Sequence, residues 1–148
     1  NFIMSSDIAI VFGAGARVGN AVARKLLSNN YKVVTVSRKD FKIDEFPGTH
    51  FHFQGDLKNL DLVPAVFAKT RELFGEPRVI VYNAAANTKL TKTVDEFLSV
   101  TGEEFNTDQN INVSSVFLSV QESIKSFDKI TSTDKPKAFI FTGNMQNL

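Results

Sequence analysis

Apolar and polar positions alternate in blocks along the chain. Ile8 to Phe12 is a continuous apolar run entering a glycine cluster, the signature of a parallel strand buried on both faces. Val18, Ala21, Val22 and Leu26 then recur at helical spacing until Ser28-Asn29-Asn30 stops the pattern. Lys32 to Ser37, rich in valine, reads as a second strand and Thr49 to Phe53 as a third. Leu62, Val63, Val66, Phe67, Thr70 and Phe74 mark a helix, with Pro64 near its start, where a missing N–H costs little, and Gly75 and Pro77 closing it. Arg78 to Asn83 is a fourth strand by its Val-Ile-Val core, and a looser helical stretch covers Val94 to Val100. The longest helix starts near Thr101, because Thr101 and Glu104 have capping-box spacing. Val113, Val116, Phe117, Val120, Ile124 and Phe127 give it one apolar stripe, expected to face the core. A charged and polar loop, Asp128 to Lys137, leads to a fifth strand, Ala138 to Thr142.

Strands alternating with helices at this spacing imply a doubly wound parallel sheet with right-handed crossovers, a three-layer α/β/α arrangement. With no internal repeat or linker, residues 1–148 read as one domain. Seventeen basic and sixteen acidic residues leave a net charge of +1 without any block of like charge, so composition points to neither nucleic acid nor a membrane surface. No apolar run approaches the roughly 20 residues needed to span a bilayer, and Asn1 to Asp7 lacks a signal-peptide apolar region. A cytoplasmic location is therefore expected, with Met4 a candidate natural start. Cysteine is absent, which excludes disulfides, catalytic thiols and thiolate metal sites. His50 and His52 alternate with Phe51 and Phe53, so both imidazoles share one strand face. Two ligands without a third favour a solvated face over a metal site, and no metal is expected.

The first candidate chemistry lies between the first strand and first helix, at Gly13-Ala14-Gly15-Ala16-Arg17-Val18-Gly19. Glycines there let backbone N–H groups approach a pyrophosphate at a helix N-terminus; alternatively they only permit a sharp turn. Ser37-Arg38-Lys39 ends the second strand, where a carboxylate would accept the ribose hydroxyls of NAD. No carboxylate occupies that strand end. A 2′-phosphate would be attracted by Arg38, assisted by Lys39 or Arg17, which points to NADP(H); the other reading is a pair of solvated loop cations.

Asp56-Leu57 follows the third strand and Asn83-Ala84-Ala85 ends the fourth. With the glycine turn, they make the sequence resemble a short-chain dehydrogenase/reductase of the Rossmann type. That family's turn usually reads Thr-Gly-x-x-x-Gly-x-Gly; here Gly13 and Gly19 match its first and last glycines, Phe12 stands for the threonine and Arg17 for the middle glycine. The resemblance implies that Asp56 meets the adenine amino group, that Leu57 packs on the ring, and that Asn83, Ala84 and Ala85 lie beneath the cofactor. It further implies that Asn112 helps hold a proton-relay water, although a mid-helix asparagine taken alone is more often a solvated or helix-contact residue. Thr142-Gly143-Asn144 stands where the family carries Ser-Ser; Thr142 or Asn144 is the candidate for orienting the substrate, and a plain strand-end turn is the alternative.

The family's Tyr-x-x-x-Lys has no counterpart, since Thr35 and Ala86 stand four residues after Tyr31 and Tyr82, the chain's two tyrosines. The order of motifs is that of the first five strands of a domain that normally has seven, so the chain is expected to be truncated after the fifth. The implied activity is NADPH-dependent hydride transfer between nicotinamide and a small-molecule carbonyl or alcohol, with Asn112 and Thr142 as the catalytic candidates. The competing expectation is a non-catalytic NADP(H)-binding sensor or scaffold. The helix from about Glu103 to Asp128 resembles the one through which family members pair, which implies a homodimer or homotetramer.

Overall fold

The computed structural model describes residues 7–87 and 93–143; Met4 and Asn144 lie outside them. Five strands form one parallel sheet in the order β3-β2-β1-β4-β5: β1 Ile8–Phe12, β2 Lys32–Ser37, β3 His50–Gln54, β4 Val79–Tyr82 and β5 Ala138–Phe141. The chain winds outward from β1 to β3, then returns across the sheet to β4 and β5, so the loops after β1 and β4 diverge between neighbouring strands. That divergence opens a crevice at the carboxyl ends, where Phe12 is level with Val36 on one side and Tyr82 on the other.

Strands β1, β2 and β4 are buried on both faces, as their unbroken apolar runs require. On one face, α2 (Leu62–Leu73) sets Val63, Val66 and Phe67 against Ile10, Phe12, Val34 and Tyr82. On the other, α1 (Val18–Ser28) sets Ala23 and Leu27 against Ala9, Val11, Val33 and Val81. The ends of β3, β4 and β5 differ from the sequence expectation by a residue. Thr49, Asn83 and Thr142 each still make one ladder-like hydrogen bond, to Val33, Phe12 and Tyr82, but lack the second that would extend the strand.

Two capping boxes start the later helices: Thr93 with Glu96 before α3 (Val94–Leu98), and the expected Thr101 with Glu104 before α4 (Gly102–Gln109). The helix then continues through a π-turn, Asn110–Ser114, into α5 (Ser115–Lys129). Its buried face is not the one its apolar stripe suggests. Ser115, Ser119, Ser123 and Ser126 are buried, whereas Val113, Phe117 and Ile124 are 56%, 62% and 54% exposed. Val116, Leu118 and Phe127 flank the serines and pack on the core. Serine suits the buried line because its hydroxyl can bond back to the preceding turn: Ser119 donates to the Ser115 carbonyl at 2.7 Å and Ser123 to that of Ser119 at 2.6 Å. Ser119 and Ser123 are thus satisfied by their own helix and Ser115 and Ser126 by partners outside it, Leu57 and Arg71, while the small size of all four permits close packing.

The histidine face of β3 is also covered rather than solvated. His50 and His52 are half-buried beneath the segment between β2 and β3, where Phe41 meets both rings edge-on at 6.0 and 5.9 Å and Ile43 is buried.

Candidate functional site

The crevice at the sheet's switch point is a cleft of about 720 Å³ lined by the first turn, the ends of β2, β3 and β4, and the long helix. It continues into a smaller hollow of about 280 Å³ over the start of α1. Gly13, Gly15, Ser37, Arg38, Asp56, Leu57, Asn83, Ala84 and Ala85 line the large cleft, and Arg17, Val18 and Gly19 line the hollow with Gly13, Gly15 and Asn83. Residues singled out along 73 positions of sequence are thereby gathered at one end of the sheet.

The glycines of the turn serve different purposes. Gly13 has φ +79°, and a Cβ on it would lie 2.6 Å from Ala84 Cα, so only glycine lets the first turn lie against the loop after β4. At Gly19 a Cβ would lie 2.7 Å from Ala14 Cα. Gly15 is different: a Cβ there would meet nothing within 4 Å, and the residue lines both the cleft and the hollow. The start of α1 has no side-chain cap and no acidic residue in its first turn, leaving its positive end to an anion.

Asn83 braces this turn. Its Nδ2 donates to the Gly13 carbonyl at 3.1 Å, and its Oδ1 accepts from the Thr142 hydroxyl at 3.1 Å, joining the ends of β1, β4 and β5. Asp56 accepts the Lys58 N–H at 3.0 Å in a tight turn, which presents its carboxyl group at the cleft wall. Phe12, the departure from the family's threonine, is fully buried between Phe67 and Tyr82 at ring separations of 6.2 and 5.5 Å.

The π-turn and the first residue of α5 tie the long helix to the segment after β3 and to the end of β4. Asn110 donates to the Lys58 carbonyl at 3.0 Å, Tyr82 donates through its hydroxyl to the Ile111 carbonyl at 2.6 Å, and Ser115 donates to the Leu57 carbonyl at 2.8 Å. Asn112 pairs with Ala86 in both directions, accepting its N–H at 2.9 Å and donating to its carbonyl at 2.7 Å. Asn112 therefore holds the loop after β4 against the helix. Neither it nor Thr142 lines the cleft, and Lys39, next to Arg38, is exposed outside it. Burial pushes the Tyr82 hydroxyl well above its ordinary range, opposed by a weaker contact with Ser115.

The sequence reasoning did not single out Val36, Gly55, Lys58, Ala86, Thr107 and Ile111, which also line the cleft. Gly55 packs closely on the start of α2, where a Cβ would lie 2.5 Å from Leu62 Cδ1. Thr107 and Ile111 reach the cleft only through the docking of the long helix. Among the described residues no cluster of three or more His, Asp or Glu has metal-binding proximity, and no helix is long and apolar enough to cross a membrane.

A parallel sheet wound 3-2-1-4-5, with a glycine turn at its switch point, defines a Rossmann-type α/β fold. Residues 7–135 match the model of the short chain dehydrogenase family. The chain is 36% identical over 154 aligned residues to the short chain dehydrogenase/reductase dmxR12 of Cryptosporiopsis sp., covering 97% of this chain and 61% of that protein. It is 29% identical to a 3beta-hydroxysteroid dehydrogenase of Mediterraneibacter gnavus, covering 84% of this chain and 47% of that one. Among solved structures, a 3-oxoacyl-[acyl-carrier protein] reductase from Brucella melitensis in complex with NAD superposes with a TM-score of 0.78 at 20% identity, over 92% of this chain and 55% of that one. The chain belongs to the short-chain dehydrogenase/reductase family, and it spans about half to three-fifths of the length of these relatives.

Proposed function

We propose that the chain forms the cofactor-binding part of an NADPH-dependent oxidoreductase acting on a small-molecule carbonyl or alcohol. The observation that carries the cofactor reading is the cleft itself: it is lined at the end of β2 by Ser37 and Arg38, with no carboxylate there to repel a 2′-phosphate. The residues present fit a dinucleotide. Gly15 leaves open the space a side chain would fill, the uncapped start of α1 suits the pyrophosphate, and Arg17 borders the hollow over it. Asp56 and Leu57 form the wall that would take the adenine, and Ala84 and Ala85 the floor. Bound nicotinamide would supply or accept the hydride.

What the chain's own residues contribute is placement. Asn112 fixes the cleft floor through Ala86, and its relay-water role rests on the family resemblance. Thr142 fixes Asn83, and reaching a substrate requires its hydroxyl to leave that partner. Tyr82 cannot protonate a product alkoxide, because it is buried and its hydroxyl is bound to Ile111. The proton donor is therefore not Tyr82. A binding-only sensor or scaffold is the second reading, favoured by the commitment of Asn112 and Thr142 to protein partners. A cytosolic location and association into a homodimer or homotetramer through the long helix belong to the same proposal.

Turnover separates the two readings. NADPH oxidation is measured with a panel of ketones and aldehydes, for the 148-residue chain and for the product of the complete gene. The enzyme reading expects turnover by the complete product and none by the 148 residues, since a positioned acid contributes about 10²–10⁴-fold. Tight NADPH binding without turnover in either would establish the sensor instead.

A further inference from the structure

β3 is an edge strand of the sheet, and Thr35 of β2 lies opposite His52 with His50 two positions before it on the same face. Thr35 is fully buried, and its Oγ1 lies 2.8 Å from His50 Nε2 and 2.9 Å from His52 Nδ1. His52 Nε2 lies 3.0 Å from the Lys39 carbonyl. A carbonyl only accepts, so Nε2 carries the proton and the neutral ring presents Nδ1 as an acceptor. Nδ1 takes the Thr35 hydroxyl proton, which obliges His50 Nε2–H to donate to Thr35 Oγ1. The partners thus set one direction, from His50 through Thr35 and His52 to Lys39.

The surroundings favour the neutral rings. Burial lowers the pKa of both; Arg24 on α1 and His52 add to this at His50, against Asp44, while at His52 the Lys39 carbonyl and Asp40 act in the opposite sense. Phe41 closes the face above both rings.

This chain of donors ends on the segment that carries Arg38. Three consecutive carbonyls there are held from the β3 side: Ser37 by the Gly55 N–H, Arg38 by Gln54 Nε2 and Lys39 by His52, each at 3.0 Å. The Ser37 hydroxyl adds a second bond to the Lys39 carbonyl at 2.8 Å. The backbone on both sides of Arg38 is therefore fixed, while its side chain is exposed along the cleft wall. We propose that His52, oriented by Thr35, is a positioning residue for cofactor selection, holding the Ser37–Lys39 turn so that Arg38 meets the 2′-phosphate of NADP(H). The proposal rests on the NADP(H) reading above. It assigns the histidine pair a place behind the binding residues, acting through the backbone of Lys39.

The test is the ratio of NADPH to NADH affinity, by cofactor fluorescence on the full chain, for wild type, Arg38→Ala, His52→Phe, His52→Gln and Thr35→Val. His52→Phe keeps the ring against Phe41 but removes the donor to Lys39; it is expected to lower the NADPH preference about five- to tenfold while NADH affinity stays within about twofold. His52→Gln, whose amide can reach the same carbonyl, is expected to restore most of the preference. Thr35→Val, similar in shape and β-branched, is expected to fall between wild type and His52→Phe, and it decides the matter if His52→Phe does not fold. A wild type without NADPH preference refutes the NADP(H) reading and this proposal with it. A preference lost in Arg38→Ala but intact in His52→Phe, or in Thr35→Val alone if that is the folded variant, overturns the positioning role and leaves the NADP(H) reading standing.

Discussion

Gly13 and Gly15 stand two residues apart in the same turn, yet the first is constrained by the protein around it and the second is not. At Gly13 the positive φ and the approach of Ala84 leave no room for a side chain. Gly13→Ala is expected to destabilise the fold by about 2–4 kcal/mol, combining left-handed strain with a backbone collision. Gly15→Ala meets open space and should leave stability within about 0.5 kcal/mol of wild type while weakening nucleotide binding. Urea denaturation and nucleotide titration of both variants check the pair. Equal loss of stability in both would show that Gly15 is held by the fold and remove it from the binding argument.

Between elements, α2 and α5 are joined by charge as well as by the core. Arg71 of α2 reaches Glu76 at 2.9 Å and Glu122 of α5 at 3.0 Å, and Lys129 reaches Glu76 at 3.1 Å. Burial alone would raise both carboxyl groups. At Glu76 the hydrogen bonds from Ser126, Arg71 and Lys129 outweigh it, and at Glu122 those from Lys125 and Arg71, so both are held below the ordinary carboxylate value of 4.5. A carboxylate depressed in the folded state contributes stability above its unfolded value and loses it as pH falls through the folded one. Stability should therefore drop as pH falls below about 4.5, and Glu122→Gln should cost about 1 kcal/mol at pH 7 with a shallower acid limb. Thermal melts from pH 7 to 3 measure both; an unchanged acid limb would show that the clamp contributes nothing.

The same elements explain how far the sequence could be read. Strands β1, β2 and β4 were legible because burial on both faces demands an unbroken apolar run, and the start of α4 because its capping box is local. The buried face of α5 was not, because serine reads as polar in a hydropathy pattern; Ser119 and Ser123 are satisfied by carbonyls one turn back and Ser115 by the Leu57 carbonyl, partners that exist only once the helix has formed and docked. His50 and His52 were misplaced in solvent for a related reason: their cover, Phe41 and Ile43, lies in a segment with no periodicity to reveal where it folds. In the site, glycines and strand-end Asp and Asn announced the cleft because backbone turns require them. Asn112 and Thr142 did not announce their partners, since Ala86 and Asn83 lie 26 and 59 positions away.

At the scale of the molecule, the serine face leaves part of the apolar stripe of the long helix outward, while Val116 and Phe127 of that stripe pack on the core. Phe105, Val113, Phe117 and Ile124 are each more than half exposed, a distribution that favours association through this helix over packing on its own sheet. The complete protein is expected to sediment as a homodimer or homotetramer at micromolar concentration, and Phe117→Glu to shift it towards monomer. A monomeric wild type would remove the association from the account.

The central claim concerns the nucleotide that the cleft selects. On the proposed NADP(H) reading Arg38 takes the place of a carboxylate that would grip the adenosine ribose, and losing one arginine paired to phosphate costs on the order of 1.5–3 kcal/mol, or about 10- to 150-fold in affinity. Paired fluorescence titrations of NADPH and NADH, in wild type and Arg38→Ala, read this directly. The account predicts tighter NADPH binding in wild type and a loss in Arg38→Ala confined to NADPH; equal affinities in wild type, or an equal loss for both nucleotides, would contradict it.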